Sequence, residues 1–413
     1  MNEIPLSWFQ RHLTRELLPH RHQASVTKDG FFYPYLSCDW RRKDGGAATL
    51  VTQSRLIYVF SVGFWATKNR KYLAAAINGG NFLLRHFFDE KHGGFFYSCD
   101  ENGFVVSKQK DAYGHAFVLL ALSYAYKVSG EKKFLAGAVQ AYRVLNHNFR
   151  DDLHGLVWKM SRDWHDLDEY RAQNPMMHFF EALLAFYEAL AGQKQQNELE
   201  QLPDPQAVLR TAEEIVHFLF SGVQNKKPFF LSEFYTLEWQ PYYLNRSGPI
   251  SIGHHFEWAF LLSGAVTKGL PGKFLMIAEN CLRTALQYGL DEKTGAIRSY
   301  IDFNGEVTDK TYYWWEHSEA LRSLLHFIIR RNKTELTEAF FVIFDFVKKN
   351  FLDHRFGGWY TQLNEQKMVI DGDKGSGGKL DYHQTALCYE AIKLHHLSKN
   401  PVVSERIRRK VNN

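Results

Sequence analysis

His92-Gly93-Gly94-Phe95-Phe96-Tyr97, then residues 112–128 (AYGHAFVLLALSYAYKV), then Ser129-Gly130 and residues 132–149, form one unit of a pattern that runs through the chain. The glycines supply a permissive backbone for a turn, and the aromatic run that follows reads as a short strand. Residues 112–128 are apolar nearly all round, as in a helix buried on several sides. Ser129-Gly130 is a stop signal, and the second helix is amphipathic, as at a half-solvated position.

The unit recurs. Its turn segment is preceded by Asp29-Gly30-Phe31-Phe32-Tyr33 and followed by His154-Gly155-Leu156-Val157-Trp158. It returns as Pro228-Phe229-Phe230-Leu231 without its glycine, as Thr294-Gly295-Ala296-Ile297, and as Phe356-Gly357-Gly358-Trp359-Tyr360. From Gly30 through Gly93, Gly155, Phe229 and Gly295 to Gly357, the spacings are 63, 62, 74, 66 and 62 residues. Each interval holds two helices of ordinary length, the first apolar (HAFVLLALSYAY, HFFEALLAFYEAL, HFEWAFLLSGAV, HSEALRSLLHFI) and the second amphipathic. Six such pairs predict an all-α (α/α)6 barrel with short β-hairpins in the connecting loops. An open solenoid would need polar capping repeats, and neither end of the pattern shows one. The reading is one barrel domain over residues 1–400 and a basic, flexible tail over 401–413, with a polar insert at 193–204 lengthening the fourth spacing.

Composition narrows the function. Lys and Arg number 50 against 45 Asp and Glu, a net charge of +5 with both signs interspersed, so a nucleic-acid partner is not expected. No apolar run is long enough to span a membrane. The acidic residues near the N-terminus argue against a secretory leader, and four widely spaced cysteines without a C-x-x-C fit a reducing cytoplasm. Aromatic residues make up 15% of the chain, and there are 19 histidines.

Those histidines fall in register. Counting from each marker toward the following apolar helix, Arg55, His115, His178, His254, His317 and His383 lie 22 to 26 residues on. In a closed barrel the N-terminal ends of the inner helices meet at one mouth, where their dipoles favour negative charge. No H-E-x-x-H, no carboxylate cluster of magnesium type and no Walker loop is present, so neither a metal nor a cofactor is expected. The Gly-rich stretch 371–379 reads as a mobile loop ahead of His383. Neutral histidines can move protons at neutral pH, and an arginine can steady an enediolate. With Trp314-Trp315 and Trp258 at hand as sugar platforms, the set suits isomerisation or epimerisation of an open-chain sugar.

At these residues the sequence resembles the N-acylglucosamine 2-epimerase superfamily over nearly the whole chain. The matching motifs are Thr52-Gln53-Ser54-Arg55, Asn174-Pro175-Met176-Met177-His178, Gly253-His254-His255-Phe256-Glu257-Trp258, Trp314-Trp315-Glu316-His317-Ser318-Glu319 and Lys379-Leu380-Asp381-Tyr382-His383. The resemblance implies that His254 and His383 are the catalytic acid/base pair and that Glu257 supports His254. It also implies that Arg55, His178, Asn174, Tyr113, Trp314, Trp315 and His317 line the substrate pocket, with no metal and no redox cofactor. Gly-His-x-Phe-Glu-Trp is similar to the aldose–ketose isomerase branch, and Trp-Trp-Glu in place of Trp-Trp-Pro points away from N-acetyl sugars. The expectation is a cytoplasmic isomerase of D-mannose and D-fructose, monomeric or homo-oligomeric, with a monosaccharide as its partner. A 2-epimerase on the same residues, a glycoside hydrolase drawing on Asp111, Glu257 and Glu316, and a non-catalytic sugar-binding protein stay open at this point.

Overall fold

The structure, a computed structural model, describes residues 3–43, 46–192, 202–223, 225–243 and 249–398. The tail at 401–413 and most of the polar insert lie outside them. The described chain enters through α1 (Leu6–Arg11), a π-helical stretch (His12–Leu17) and α2 (Leu18–Ser25). It then alternates between α3 (Leu50–Thr67) and α4 (Arg70–Phe82), α5 (Ala112–Ser129) and α6 (Lys132–His147), and α7 (Gln173–Ala191) and α8 (Pro205–Phe220). The series continues with α9 (Ile252–Val266) and α10 (Phe274–Gly289), α11 (Trp314–Arg330) and α12 (Thr337–Asn350), and ends on α13 (Tyr382–Ser398).

The odd-numbered helices from α3 onward are the apolar ones, and each touches the next until α13 returns to α3. That ring is closed, which makes the fold an (α/α)6 barrel. The even-numbered helices pack outside it, each on its own partner. The sixth outer position is taken by the first helices of the chain, where α1 packs on α13.

Short antiparallel strands close the mouth at the N-terminal ends of the inner helices. The strand before each inner helix pairs with the hairpin of the next repeat: Ala48 with Cys99, Lys110 with Met160, Arg171 with Tyr235, Ser251 with Tyr300 and Tyr313 with Gln362. A bridge between Leu36 and Gly375 completes the circle. Asp89, Asp151, Asp291 and Asp353, four residues or so before the turn glycines, accept backbone N–H groups of their own turns. Gly30 (φ +95°) and Gly295 (φ +80°) occupy the left-handed region, and at each a Cβ would come within 2.1 Å of a carbonyl oxygen, of Asn78 on α4 and of Val342 on α12.

The repeated histidines divide into two sets. The fourth residue of α3, α5, α9 and α11 is Gln53, His115, His255 and His317, and all four are buried. Each takes a backbone N–H from the turn segment two residues past its marker: Phe32 to Gln53 Oε1 at 3.2 Å, Phe95 to His115 Nε2 at 2.8 Å, Leu231 to His255 Nε2 at 3.2 Å and Ile297 to His317 Nε2 at 3.0 Å. The histidines' Nδ1 atoms donate to the carbonyls of Asp111, Ser251 and Tyr313. With both nitrogens held by backbone, His115 and His317 are structural pins and do not converge on the mouth, against the expectation that His317 lines a substrate pocket. They satisfy strand N–H groups that would otherwise be buried without a partner.

The pins carry a pH dependence. Burial pushes His115 down to about 3 and His255 and His317 down to about 4. The unfolded chain therefore takes up these protons first as pH falls. The stability held by the neutral rings is complete above the ordinary histidine value and drains as pH drops from there toward 4, by about 2 kcal/mol per ring at pH 5. Thermal unfolding at pH 7.5 and pH 5 should show the loss. A His115→Gln/His317→Gln double variant, imitating Gln53, should flatten it, and an unchanged slope would place the acid sensitivity elsewhere.

Candidate active site

The mouth is lined by two layers set by helix position. The second residues of α5, α7, α11 and α13 are Tyr113, Asn174, Trp315 and His383. One turn deeper, the sixth residues of α3, α7, α9 and α11 are Arg55, His178, Glu257 and Glu319. Residues four apart share a helix face, so both layers look inward. His254, third in α9, joins them beside Trp315.

The Trp315 ring lies 5.0 Å from the His254 ring and 5.6 Å from the His383 ring, so both imidazoles pack against one indole. Gly253 makes room for it, because a Cβ there would come within 2.4 Å of the indole. Trp314, which was expected beside it, is packed in the core with the Lys379 ammonium 5.8 Å from its ring. The structure brings Trp315, not Trp314, against the histidines.

Each of three histidines rests on a buried carboxylate through Nδ1: His254 on Glu233 at 2.6 Å, His383 on Glu319 at 2.8 Å and His178 on Glu181 at 3.1 Å. Burial opposes the charge on these carboxylates, but their partners prevail. His178, Arg322 and Tyr382 hold Glu181 down to about 2, Arg322 and His383 hold Glu319 low, and His254 and Gln173 hold Glu233 low. An ionised carboxylate fixes the imidazole proton on Nδ1 and leaves a lone pair on Nε2. His178 is pushed down to about 4, chiefly by burial, and burial also lowers His383 against the pull of Glu319, so both are neutral at pH 7.

The supports differ. Glu319 and Glu181 share the Arg322 guanidinium, with contacts of 3.2 and 3.7 Å. Glu233 has no such cation on it; Gln173 Nε2 donates to it at 3.0 Å. The Gln173 amide is oriented by the Trp258 indole N–H, which donates to Oε1 at 2.8 Å. Trp258 is therefore a fully buried strut behind the site and not a sugar platform.

Glu257 does not support His254 as expected; Glu233 takes that place. Both Glu257 oxygens are buried without a hydrogen-bond partner. Burial and the neighbouring Glu319 and Glu181 push its carboxyl well above the usual range, which favours its protonated form. Arg55 donates to the Tyr113 hydroxyl and to the Gly378 carbonyl, each at 2.7 Å, and lies over the Phe117 ring. Asn174 Oδ1 is buried and unpartnered at the start of α7. Asp111 and Glu316, weighed for hydrolysis, are occupied: Asp111 caps α5 through Gly114 N–H, and Glu316 accepts from Ser299.

His178, Glu181 and Glu257, and again Glu257, Glu319 and His383, have donor atoms close enough to hold an ion. Arg322 already supplies the counter-charge to Glu181 and Glu319 in both groups. Sequence reading did not assign roles to Glu181, Glu233, Glu319, Arg322 or Gln173. Glu181 was accessible, because it stands three residues after His178 and so shares its face. Glu233 had no local signal, since 21 residues separate it from His254 within the repeat.

The imidazole tautomers give a direct test. Nitrogen-15 spectra should show His178, His254 and His383 with the proton on Nδ1, and Glu233→Gln should scramble His254 alone. An unchanged His254 signal in that variant would remove Glu233 from the role of orienter.

Comparison with known proteins agrees with the barrel. The sequence pattern of N-acylglucosamine 2-epimerase (GlcNAc 2-epimerase) matches residues 30–387. A protein of Marinomonas mediterranea named D-mannose isomerase is 27% identical over 382 residues, spanning 89% of this chain and 92% of its own. A cellobiose 2-epimerase of Dictyoglomus turgidum is 25% identical over 403 residues, spanning 92% of this chain and 96% of its own. A crystal structure of D-mannose isomerase superimposes with a TM-score of 0.85 at 23% identity, covering 95% of this chain and all of that one, and so shares the fold. With the match running across all six repeats, the chain belongs to the N-acylglucosamine 2-epimerase family.

Proposed function

We propose that the chain is an aldose–ketose isomerase interconverting D-mannose and D-fructose through a cis-enediolate, without a metal. The observation that carries this reading is the pair of imidazoles, His254 and His383, both against Trp315, each with Nδ1 committed to a carboxylate. Such rings are bases at neutral pH that become acids once they take a proton.

In the proposed sequence His254 assists ring opening by moving a proton between O1 and O5. His383 Nε2 then removes the C2 proton, and the electron pair moves to form the C1–C2 double bond of the enediolate. Arg55 and His178 face the oxygens that gain charge, and the protonated Glu257 can donate to one of them. The proton returns to C1 while O1 gains a proton and O2 loses one, giving the ketose. Glycoside hydrolysis wants two free carboxylates. Here Glu181, Glu233 and Glu319 are each engaged by a histidine, which favours proton transfer at carbon.

The second reading is 2-epimerisation, in which a base on the opposite face reprotonates C2. The similarity to cellobiose 2-epimerases favours it.

Proton NMR of the protein with D-mannose and a chelator should show fructose before glucose. Glucose first would make the epimerase reading the correct one, and loss of turnover with the chelator would overturn metal independence. His254→Ala and His383→Ala should each lower kcat by about 1,000-fold or more, within the span of general acid–base effects. Near wild-type turnover in either would displace that residue from catalysis. Because burial lowers His383, its basic form persists below the ordinary histidine value, so the acid limb of kcat/KM should lie under pH 6.5.

A further inference from the structure

The inner helices end together at the face opposite the catalytic mouth, and between their last turns lies a cavity of about 240 Å³. Leu120, Tyr124, Phe260 and Tyr389 form its walls, and Glu181 and Arg322 its inner end. Arg322 is thus shared: one side of it holds Glu181 and Glu319 under the histidines, and the other looks down the barrel axis toward the far face.

The outer part of this cavity carries excess positive charge. Glu188 faces both Lys127, at 2.5 Å, and Lys268. Glu390 faces Lys393 at 2.6 Å and Arg330 at 3.9 Å, with His326 Nδ1 at 3.0 Å. Two carboxylates thus meet three cations that line the cavity, Lys268, Arg330 and Lys393, and Lys127 stands on Glu188 outside the lining. Arg331 stands beside them, on Ser263 at the end of α9. Cations at helix C-termini are ordinary compensation for the dipoles. Two observations go beyond that: a hollow lies behind the cations, and at its inner end the Arg322 side chain, only 7% exposed, has an Nε donor with no acceptor.

We propose that this cavity is a second ligand site, taking a small phosphate-class anion whose oxygens can meet Arg322, Lys268 and Lys393. An anion seated there would compete with Glu181 and Glu319 for the Arg322 guanidinium. Its binding would then loosen the carboxylates that orient His178 and His383, and couple the far face of the barrel to the mouth.

The binding test needs no assumption about the reaction. Isothermal titration of the full chain with inorganic phosphate, and separately with fructose 6-phosphate, should show a single site that saturating D-mannose leaves available. Lys268→Ala/Lys393→Ala should weaken it at least 10-fold. Tighter binding of fructose 6-phosphate would identify an ester as the occupant, and equal binding would identify free phosphate. Gly264→Leu is a second variant: Gly264 lines the cavity, and a Cβ there meets nothing within 4 Å, so the new side chain can fill the hollow without disturbing the helix. It should abolish binding while the protein keeps its melting temperature. No heat with either probe, unchanged affinity in both variants, or displacement by the sugar would overturn the proposal, the last by placing the anion in the catalytic mouth.

Discussion

A single guanidinium underlies the chemistry of this barrel. Arg322 lies on the axis between Glu181 and Glu319, two carboxylates buried so deeply that neither would ionise alone. With Arg322 present both stay charged, and a charged carboxylate is what fixes the proton of His178 and His383 on Nδ1. The third carboxyl of the group, Glu257, makes no hydrogen bond or ion pair to the arginine among the described residues, and burial with the neighbouring Glu319 and Glu181 pushes it up in spite of Arg322. Arg322 and the histidines thus hold two carboxyl groups low beside a third that is pushed high. An electrostatic division of this kind lets a site contain bases and a proton donor at the same pH.

The helical registers make this possible. The second and sixth positions of the inner helices face the axis, and the fourth faces the turn segment of its own repeat. Histidine serves in both places for opposite reasons. At the fourth position its two nitrogens are saturated by backbone and it is chemically silent, as His115, His255 and His317 show. Nearer the axis one nitrogen is left over. Gln53 doing the same work as the silent histidines shows that geometry, not titration, is what the fourth position requires.

The barrel was legible because its signals are local and repeated: a turn glycine, an aromatic strand, an apolar helix and an amphipathic one. The mouth was legible in outline, since Arg55, His178, His254 and His383 all reach it. Counting from the turn glycines misled, because loops of different length lie between the marker and the helix. His115 and His317 therefore appeared in phase with residues that face another direction. Counting from the helix start separates them. Trp258 is polar at one atom only, and nothing nearby in sequence shows that its N–H meets Gln173 across repeats. Glu233 stands just before the short strand Phe234–Tyr235, which pairs with Arg171–Ala172, and nothing in the sequence between it and His254 announces their contact.

The sixth outer position is filled by the first helices of the chain, whose partner α13 is the last to be made. During synthesis Phe9 leaves the ribosome well ahead of its ring partners Phe340 and Phe344 on α12, and α13 follows later still. The catalytic mouth shares that delay, because His383 and Tyr382 arrive on the same late helix. A nascent chain of five repeats would be a curved, open and sticky array that lacks His383. The complete mouth and protection of the hydrophobic seam therefore appear together, when α13 docks.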